Sequence, residues 1–184
     1  MWPINKFLQE SIKYQLYIDM DQVLTNFPKK AYEVLGMDFD EHSKKFGESK
    51  TWSIINKIGV SFWSEMEWMP DGKKLWDYCK QYDPIILSRP SAHGSCILGK
   101  KIWIKKNLGS NIPYILERDK SKYAEPTSIL IDDDIRNIKS WMAAKGIAIH
   151  HKNTKTTIEK IEKIFTLDQM LQWNKFKIIG DVIP

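Results

Sequence analysis

The 184-residue sequence predicts an α/β fold: a Rossmann-like, parallel five-stranded sheet with a small helical piece inserted after strand 1. Three observations lead there. Short apolar runs recur along the chain, segments with helical spacing separate them, and one long stretch after the first run breaks the alternation by staying helical throughout. Strands and helices in alternation are the pattern of a parallel sheet covered on both faces.

The first run, Tyr14 to Met20, is short, apolar and ends in acids, as a buried strand does. Pro84 to Ser88, Pro113 to Leu116, Ser128 to Ile131 and Gly146 to His150 supply the other four. Asp71 to Tyr82 sets Leu75, Tyr78 and Cys79 at helical spacing behind Asp71, an N-cap residue type. Ser95 to Leu108 sets Ile97, Leu98, Ile102 and Leu108 near one face and stops at Gly109. Ile135 to Lys145 stops at Gly146, and Thr154 to Phe165 is amphipathic through Ile158, Ile161 and Phe165. Thr166 to Gln169 fits a capping box that would open one more short helix. From Pro28 to Met69 there is no strand pattern, only the helical pieces PKKAYEVLG, FDEHSKKF, TWSIINKIG and FWSEMEW.

Composition narrows the function classes. A hydrophobic fraction of 42% supports a real core, and a charged fraction of 28% excludes a low-complexity polymer. No apolar run reaches the roughly 18 to 20 residues of a membrane span. The N-terminal stretch has scattered charges and no secretory-signal pattern. Two cysteines, Cys79 and Cys96, make no disulfide framework or metal motif, and reduced thiols in a cytoplasmic protein are expected. The formal charge of +5 admits an anionic partner. Only Arg89, Arg118 and Arg136 among the basic residues are arginine, and each follows a strand.

In open parallel sheets ligands bind beyond the carboxyl ends of the strands. There the sequence places Asp19 and Asp21, then Ser88 and Arg89, then Arg118, Asp119 and Lys120, then Asp132, Asp133 and Asp134. Such carboxylates repel one another, and a hard divalent cation with oxygen ligands, typically Mg²⁺ shared with a substrate phosphate, resolves the conflict. The cations nearby would hold phosphoryl oxygens.

With these residues in place, Asp19-Met20-Asp21-Gln22-Val23-Leu24 resembles the DxDx(T/V) nucleophile motif of the haloacid dehalogenase (HAD) superfamily. Ser88 resembles its second motif, and Lys120 ahead of Ile131-Asp132-Asp133 its third and fourth. Within the superfamily, YIDMDQVLTNF, WMPDGKKLW, ILSRPS, GKKIWIKKNLG, RDK and ILIDDDIRNIKSW are similar to the 5′(3′)-deoxyribonucleotidases, from about Gln15 to about Ile161. The resemblance implies a core of residues 1–27 and 70–184 with strand order 5-4-1-2-3, and a cap of residues 28–69 that selects substrate. It implies Asp19 as nucleophile, forming an aspartyl-phosphate, and Asp21 as the acid and base of the two half-reactions. Mg²⁺ would be held by Asp19, the carbonyl of Asp21, and Asp133 ahead of Asp132. Ser88 and Lys120 would hold the phosphoryl oxygens, with Arg89 or Arg118 touching the phosphate and Arg136 structural. Gln22 stands where family members usually have Gly, Ser88-Arg89 where the nucleotidases often have Thr-Ser, and Asp134 where many relatives are basic or neutral.

Other residues have plainer readings. Asp134 suits an N-cap for the helix near Ile135. Lys100 competes with Lys120, but its place within a helix directs it to solvent. His42 reads as surface, and His93, His150 and His151 as polar loop residues. Trp76, Trp103 and Trp141 fall on sheet-covering helices. Trp52, Trp63 and Trp68 lie with Phe62 in the insert, where Phe62 and Trp63 are the choices for stacking on a nucleobase, worth roughly 1–3 kcal/mol per base.

The function expected is a Mg²⁺-dependent phosphomonoesterase acting on a small-molecule phosphomonoester, a nucleotide by preference, with no membrane and no stable nucleic acid partner, and with an oligomer compatible. Alternatives with the same chemistry are a sugar phosphate or a nucleic acid 3′-phosphate as substrate. A nucleic-acid-binding module lacks a recognition motif, and a phospho-acceptor receiver domain would not carry the long helical insert. The tail Asn174 to Pro184 lies outside the resemblance and is compatible with an edge strand or a partner contact.

Overall fold

The computed structural model describes residues 13–180, with side chains as far as residue 167. Residues 1–12, read as carrying no leader, and residues 181–184 of the tail lie outside the described residues. Five strands, β1 (Gln15–Ile18), β2 (Ile85–Ser88), β3 (Tyr114–Leu116), β4 (Ser128–Asp132) and β5 (Ile147–His150), form one sheet in the order β3-β2-β1-β4-β5. All pairs are parallel, with Tyr17 opposite Ile85 and Leu130, so β1 is central. This is the expected order read from the opposite edge.

Period-two alternation sorts the strand residues between two faces. Leu16, Ile18, Ile86, Ile129 and Ile131 join the larger core, while Tyr17, Leu87 and Leu130 pack with Trp141 on the other face. Trp141, on α7 (Ile135–Ala143), meets Tyr17 edge to face at 5.3 Å. Asp134 caps α7 by accepting from the backbone N–H of Arg136, as its position suggested. On the larger face lie α5 (Gly72–Cys79), α6 (Gly94–Asn107) and α8 (Thr154–Gly180). Both cysteines are free and buried, and burial pushes the Cys79 thiol up to about 12.

Between β1 and α5 run four helices: α1 (Phe27–Leu35), α2 (Phe39–Phe46), α3 (Glu48–Ile58) and α4 (Val60–Ser64). The entering and leaving segments lie side by side, with Asn26 N–H donating to the Glu67 carbonyl and Met69 N–H to that of Leu24, both at 2.8 Å. Phe27, Phe39, Trp52, Phe62 and Trp63 form the aromatic interior of this insert. α4 presses on α6 where α6 has Gly99: a Cβ there would stand 2.4 Å from the Cβ of Trp63.

Five local expectations change. Asp71 occupies the N-cap position of α5 but makes no cap bond; its carboxylate accepts instead from Thr154 N–H at 2.8 Å, tying α5 to α8. α8 is continuous through Thr166, so no separate helix opens there, and it extends to Gly180, so residues 174–180 are not an edge strand. His42 is buried and hydrogen-bonded to Thr51 at 2.7 Å rather than on the surface. The buried face of α6 carries Cys96, Gly99, Lys100, Trp103 and Ile104, whereas Ile97, Leu98 and Ile102 are exposed. Among the described residues no helix is long and apolar enough to cross a membrane.

Candidate active site

The site forms where β1, β2 and β4 end together. Asp19 follows β1 directly, and its backbone N–H still donates to the Ile131 carbonyl at 3.0 Å, which locks its position against β4. Its carboxylate is 2.7 Å from the ammonium of Lys120. Lys120 opens a 3-10 turn (Lys120–Tyr123) after β3, fixed by Asp119, which accepts from Ser121 N–H. Lys120 is only 2% exposed and also reaches Asp132 at 2.5 Å. Burial works against its charge, but the two carboxylates outweigh burial and hold its pKa above the ordinary lysine value.

Asp132 and Asp133 differ in how they are held. Asp132 is fully buried, and both its oxygens are taken: Asn137 donates to each, Lys120 to one and Asp134 N–H to the other. Asp133 accepts one side-chain bond, from Gln22 Nε2 at 2.9 Å, while its carbonyl accepts from His150 Nε2 at 2.8 Å. Burial and then the charge of Asp19 push Asp132 up to about 6, and burial with the charges of Asp19 and Asp132 pushes Asp133 up to about 7. Gln22 has φ 62°, the left-handed turn for which glycine is the usual residue.

Carboxylate oxygens of Asp19, Asp132 and Asp133 all lie within 4.8 Å of one another. Three mutually repelling oxygen ligands, two of them buried and Asp133 half-buried, suit a hard divalent cation. Asp19 and Asp133 fit it best, since both oxygens of Asp132 are already occupied.

Asp21 turns the other way. Its Oδ1 accepts from Thr25 Oγ1 at 3.0 Å, and its Oδ2 is 2.6 Å from the ammonium of Lys100. That ammonium also donates to Ser88 Oγ at 2.8 Å. Lys100 is 0% exposed, so its expected place in solvent is corrected: α6 turns this lysine into the site because Gly99 lets the helix approach α4. Arg89 and Arg118 are exposed on the rim of the cavity, and the Arg136 guanidinium grips Asp134 in a bidentate pair.

The cavity above these residues has a volume of about 1030 Å³. Its floor is Asp19, Asp21, Ser88, Lys120 and Asp133, and its wall is the insert, with Phe27, Phe39, Trp52 and Trp63. Phe62, expected to face substrate, is instead fully buried beside Phe27 and Trp63 and does not line the cavity. Three buried side-chain atoms among the described residues have no hydrogen-bond partner: Ser43 Oγ, Asn56 Oδ1 and Trp63 Nε1. All three residues line this cavity. Phe27, Ser43 and Asn56 are lining residues that sequence reasoning missed, and Lys100 was weighed only as a rival to Lys120 and directed to solvent.

No family model and no curated protein matches the chain. Solved structures do. A hydrolase from Streptococcus pneumoniae is 12% identical over 82% of this chain and 99% of its own, with a TM-score of 0.52. A HAD-superfamily hydrolase from Ehrlichia chaffeensis gives 13% identity over 85% of this chain and 100% of its own, at 0.48. A HAD family enzyme from Bacteroides thetaiotaomicron, solved as a magnesium complex, gives 14% over 78% and 94%, at 0.46. The chain shares its fold with the Streptococcus pneumoniae hydrolase, and among the solved structures similar to it are HAD-superfamily hydrolases.

Proposed function

We propose that the protein is a HAD-superfamily, Mg²⁺-dependent phosphomonoesterase that hydrolyses nucleoside monophosphates. One observation carries the reading: a single cavity joins a floor of Asp19, Asp21, Ser88 and Lys120 to an aromatic wall holding three unpartnered polar atoms. The floor suits a phosphoryl group. The wall suits a planar heterocycle with donors and acceptors on its edge, because aromatic faces stack and each orphaned buried group gains a partner.

Asp19 attacks phosphorus; its Oδ–P bond forms as the ester P–O bond breaks, and Asp21 gives a proton to the departing alkoxide oxygen. Water then attacks the aspartyl-phosphate, Asp21 takes its proton, and the Asp19–phosphate bond breaks to release inorganic phosphate. Lys120 and Ser88 face the phosphoryl oxygens, and Arg89 or Arg118 closes the rim. Asp19, the Asp21 carbonyl and Asp133, with Asp132 beside them, would hold Mg²⁺, which would supply positive charge for the transferring group.

The test is phosphate release from nucleoside 5′- and 3′-monophosphates, sugar phosphates and p-nitrophenyl phosphate, with Mg²⁺ and with EDTA. The reading expects the highest kcat/KM on a nucleotide and loss of release in EDTA. Preference for a base-free sugar phosphate would retain the chemistry and overturn the nucleotide assignment. No release from any substrate would overturn both.

A further inference from the structure

We propose that Lys100 is a positioning residue for proton transfer, holding Asp21 and Ser88 together so that Asp21 faces the oxygen that leaves. The proposal rests on the phosphomonoesterase reading above. Its ground is geometric: Lys100 is fully buried, 2.6 Å from Asp21 Oδ2 and 2.8 Å from Ser88 Oγ, with its ammonium 5.5 Å from the centroid of the Trp63 ring.

A buried ammonium carries a large desolvation penalty that a packing residue would avoid. On the same helix Lys101, Lys105 and Lys106 are exposed, so nothing about α6 forces a lysine inward. What brings this one in is Gly99, whose missing side chain lets α6 sit against the carbonyl of Val60 and the Cβ of Trp63. The two buried lysines divide three aspartates: Lys120 takes Asp19 and Asp132, and Lys100 takes Asp21. With Thr25 on Oδ1 and Lys100 on Oδ2, both oxygens of Asp21 are oriented, and each keeps a second lone pair for a proton. Ser88, the residue facing the phosphoryl oxygens, is held by the same ammonium, so one group sets the distance between proton donor and phosphate.

The experiment separates proton transfer from everything else by the leaving group. A nucleoside alkoxide needs a proton to depart, whereas p-nitrophenolate does not. Rapid-quench kinetics are run on wild type, Lys100→Met and Lys100→Gln with p-nitrophenyl phosphate and with a nucleoside monophosphate. In both variants the burst of p-nitrophenolate, equal to one per enzyme, keeps a rate within about threefold of wild type, while later turnover and nucleoside release slow by roughly 10²-fold. In an Asp21→Asn background, Lys100→Met adds no further loss. Overturning results are a burst slowed as much as turnover, no change with either substrate, or an additional tenfold loss beyond Asp21→Asn. Melting curves accompany each variant: failure of both Lys100 variants to fold makes Lys100 structural and also overturns the proposal. Wild type that releases phosphate from neither substrate instead refutes the phosphomonoesterase reading itself.

Discussion

At the strand ends the buried lysines have counter-charges: Lys120 lies between Asp19 and Asp132, and Lys100 meets Asp21. In the helical wall opposite, Ser43, Asn56 and Trp63 leave a hydroxyl, an amide oxygen and an indole N–H buried without partners. A floor held by internal ion pairs is oriented before any ligand arrives, so under the proposed function its charges would need little reorganisation as a phosphoryl group reacts. A wall with orphaned groups stands at a cost of about 1–3 kcal/mol for each. A ligand that satisfies them recovers that cost, which is how a site rejects molecules lacking the matching edge. In the proposed reading the floor carries chemistry, and the wall carries choice.

If the floor owes its rigidity to paired charges, breaking one pair has the largest effect. Lys120→Met leaves Asp19 and Asp132 buried and unpaired and is expected to lower unfolding stability by about 3–5 kcal/mol in denaturant titrations at neutral pH. A wild-type midpoint would show that the pair does not hold the floor. The wall should respond in the opposite sense. Ser43→Ala removes an orphaned hydroxyl and almost no volume, so stability stays level or rises by about 1 kcal/mol, while KM for a nucleoside monophosphate rises roughly tenfold. KM for p-nitrophenyl phosphate, which has no base, stays unchanged. A loss of stability or an equal rise for both substrates would erase the distinction between floor and wall.

The floor also has a pH signature. Asp132 and Asp133 are held above their ordinary value of 3.8, at about 6 and about 7. The folded state therefore binds more protons than the unfolded one in this range, so their contribution is full below 3.8 and is lost as pH rises through about 6 and about 7. In EDTA, wild type loses stability relative to Asp133→Asn over that window. The buried His151, held below its ordinary value by desolvation, is common to both proteins and cancels. Mg²⁺ offsets that loss at the alkaline end, because the deprotonated carboxylates of wild type bind it. A parallel pair of stability curves would contradict the assignment. The smallest effect lies at the cavity's edge: Asp134→Ala removes the α7 cap and costs about 1 kcal/mol by thermal melting, with kcat unchanged.

The floor was largely legible in the sequence and the wall was not. Acids and a hydroxyl at the ends of short apolar runs are fixed by chain direction, so Asp19, Asp21, Ser88 and the Asp132–Asp133 pair fall on one edge whatever the details of packing. Strand order came from the family resemblance and not from the runs themselves, since parallel strands alone admit several orders. Helix faces were harder. On α6 the apolar Ile97, Leu98 and Ile102 marked the wrong side, since the buried side carries Lys100 and Gly99, whose value lies in an ion pair and a close approach rather than in hydropathy. Phe62 and Trp63 are neighbours in sequence, but a helix sends adjacent residues in different directions, one into the insert's interior and one toward the cavity. Ser43 and Asn56 carry no local signal at all; only the fold shows that their polar atoms are stranded.

If Asp19 carries the phosphoryl group, a single comparison shows it. Inorganic phosphate is measured from a nucleoside monophosphate in Mg²⁺ with wild type and with Asp19→Asn, both verified as folded by melting. Release by wild type and a loss of at least roughly 10³-fold in the variant is the predicted result. Release by Asp19→Asn at the wild-type rate would contradict the account.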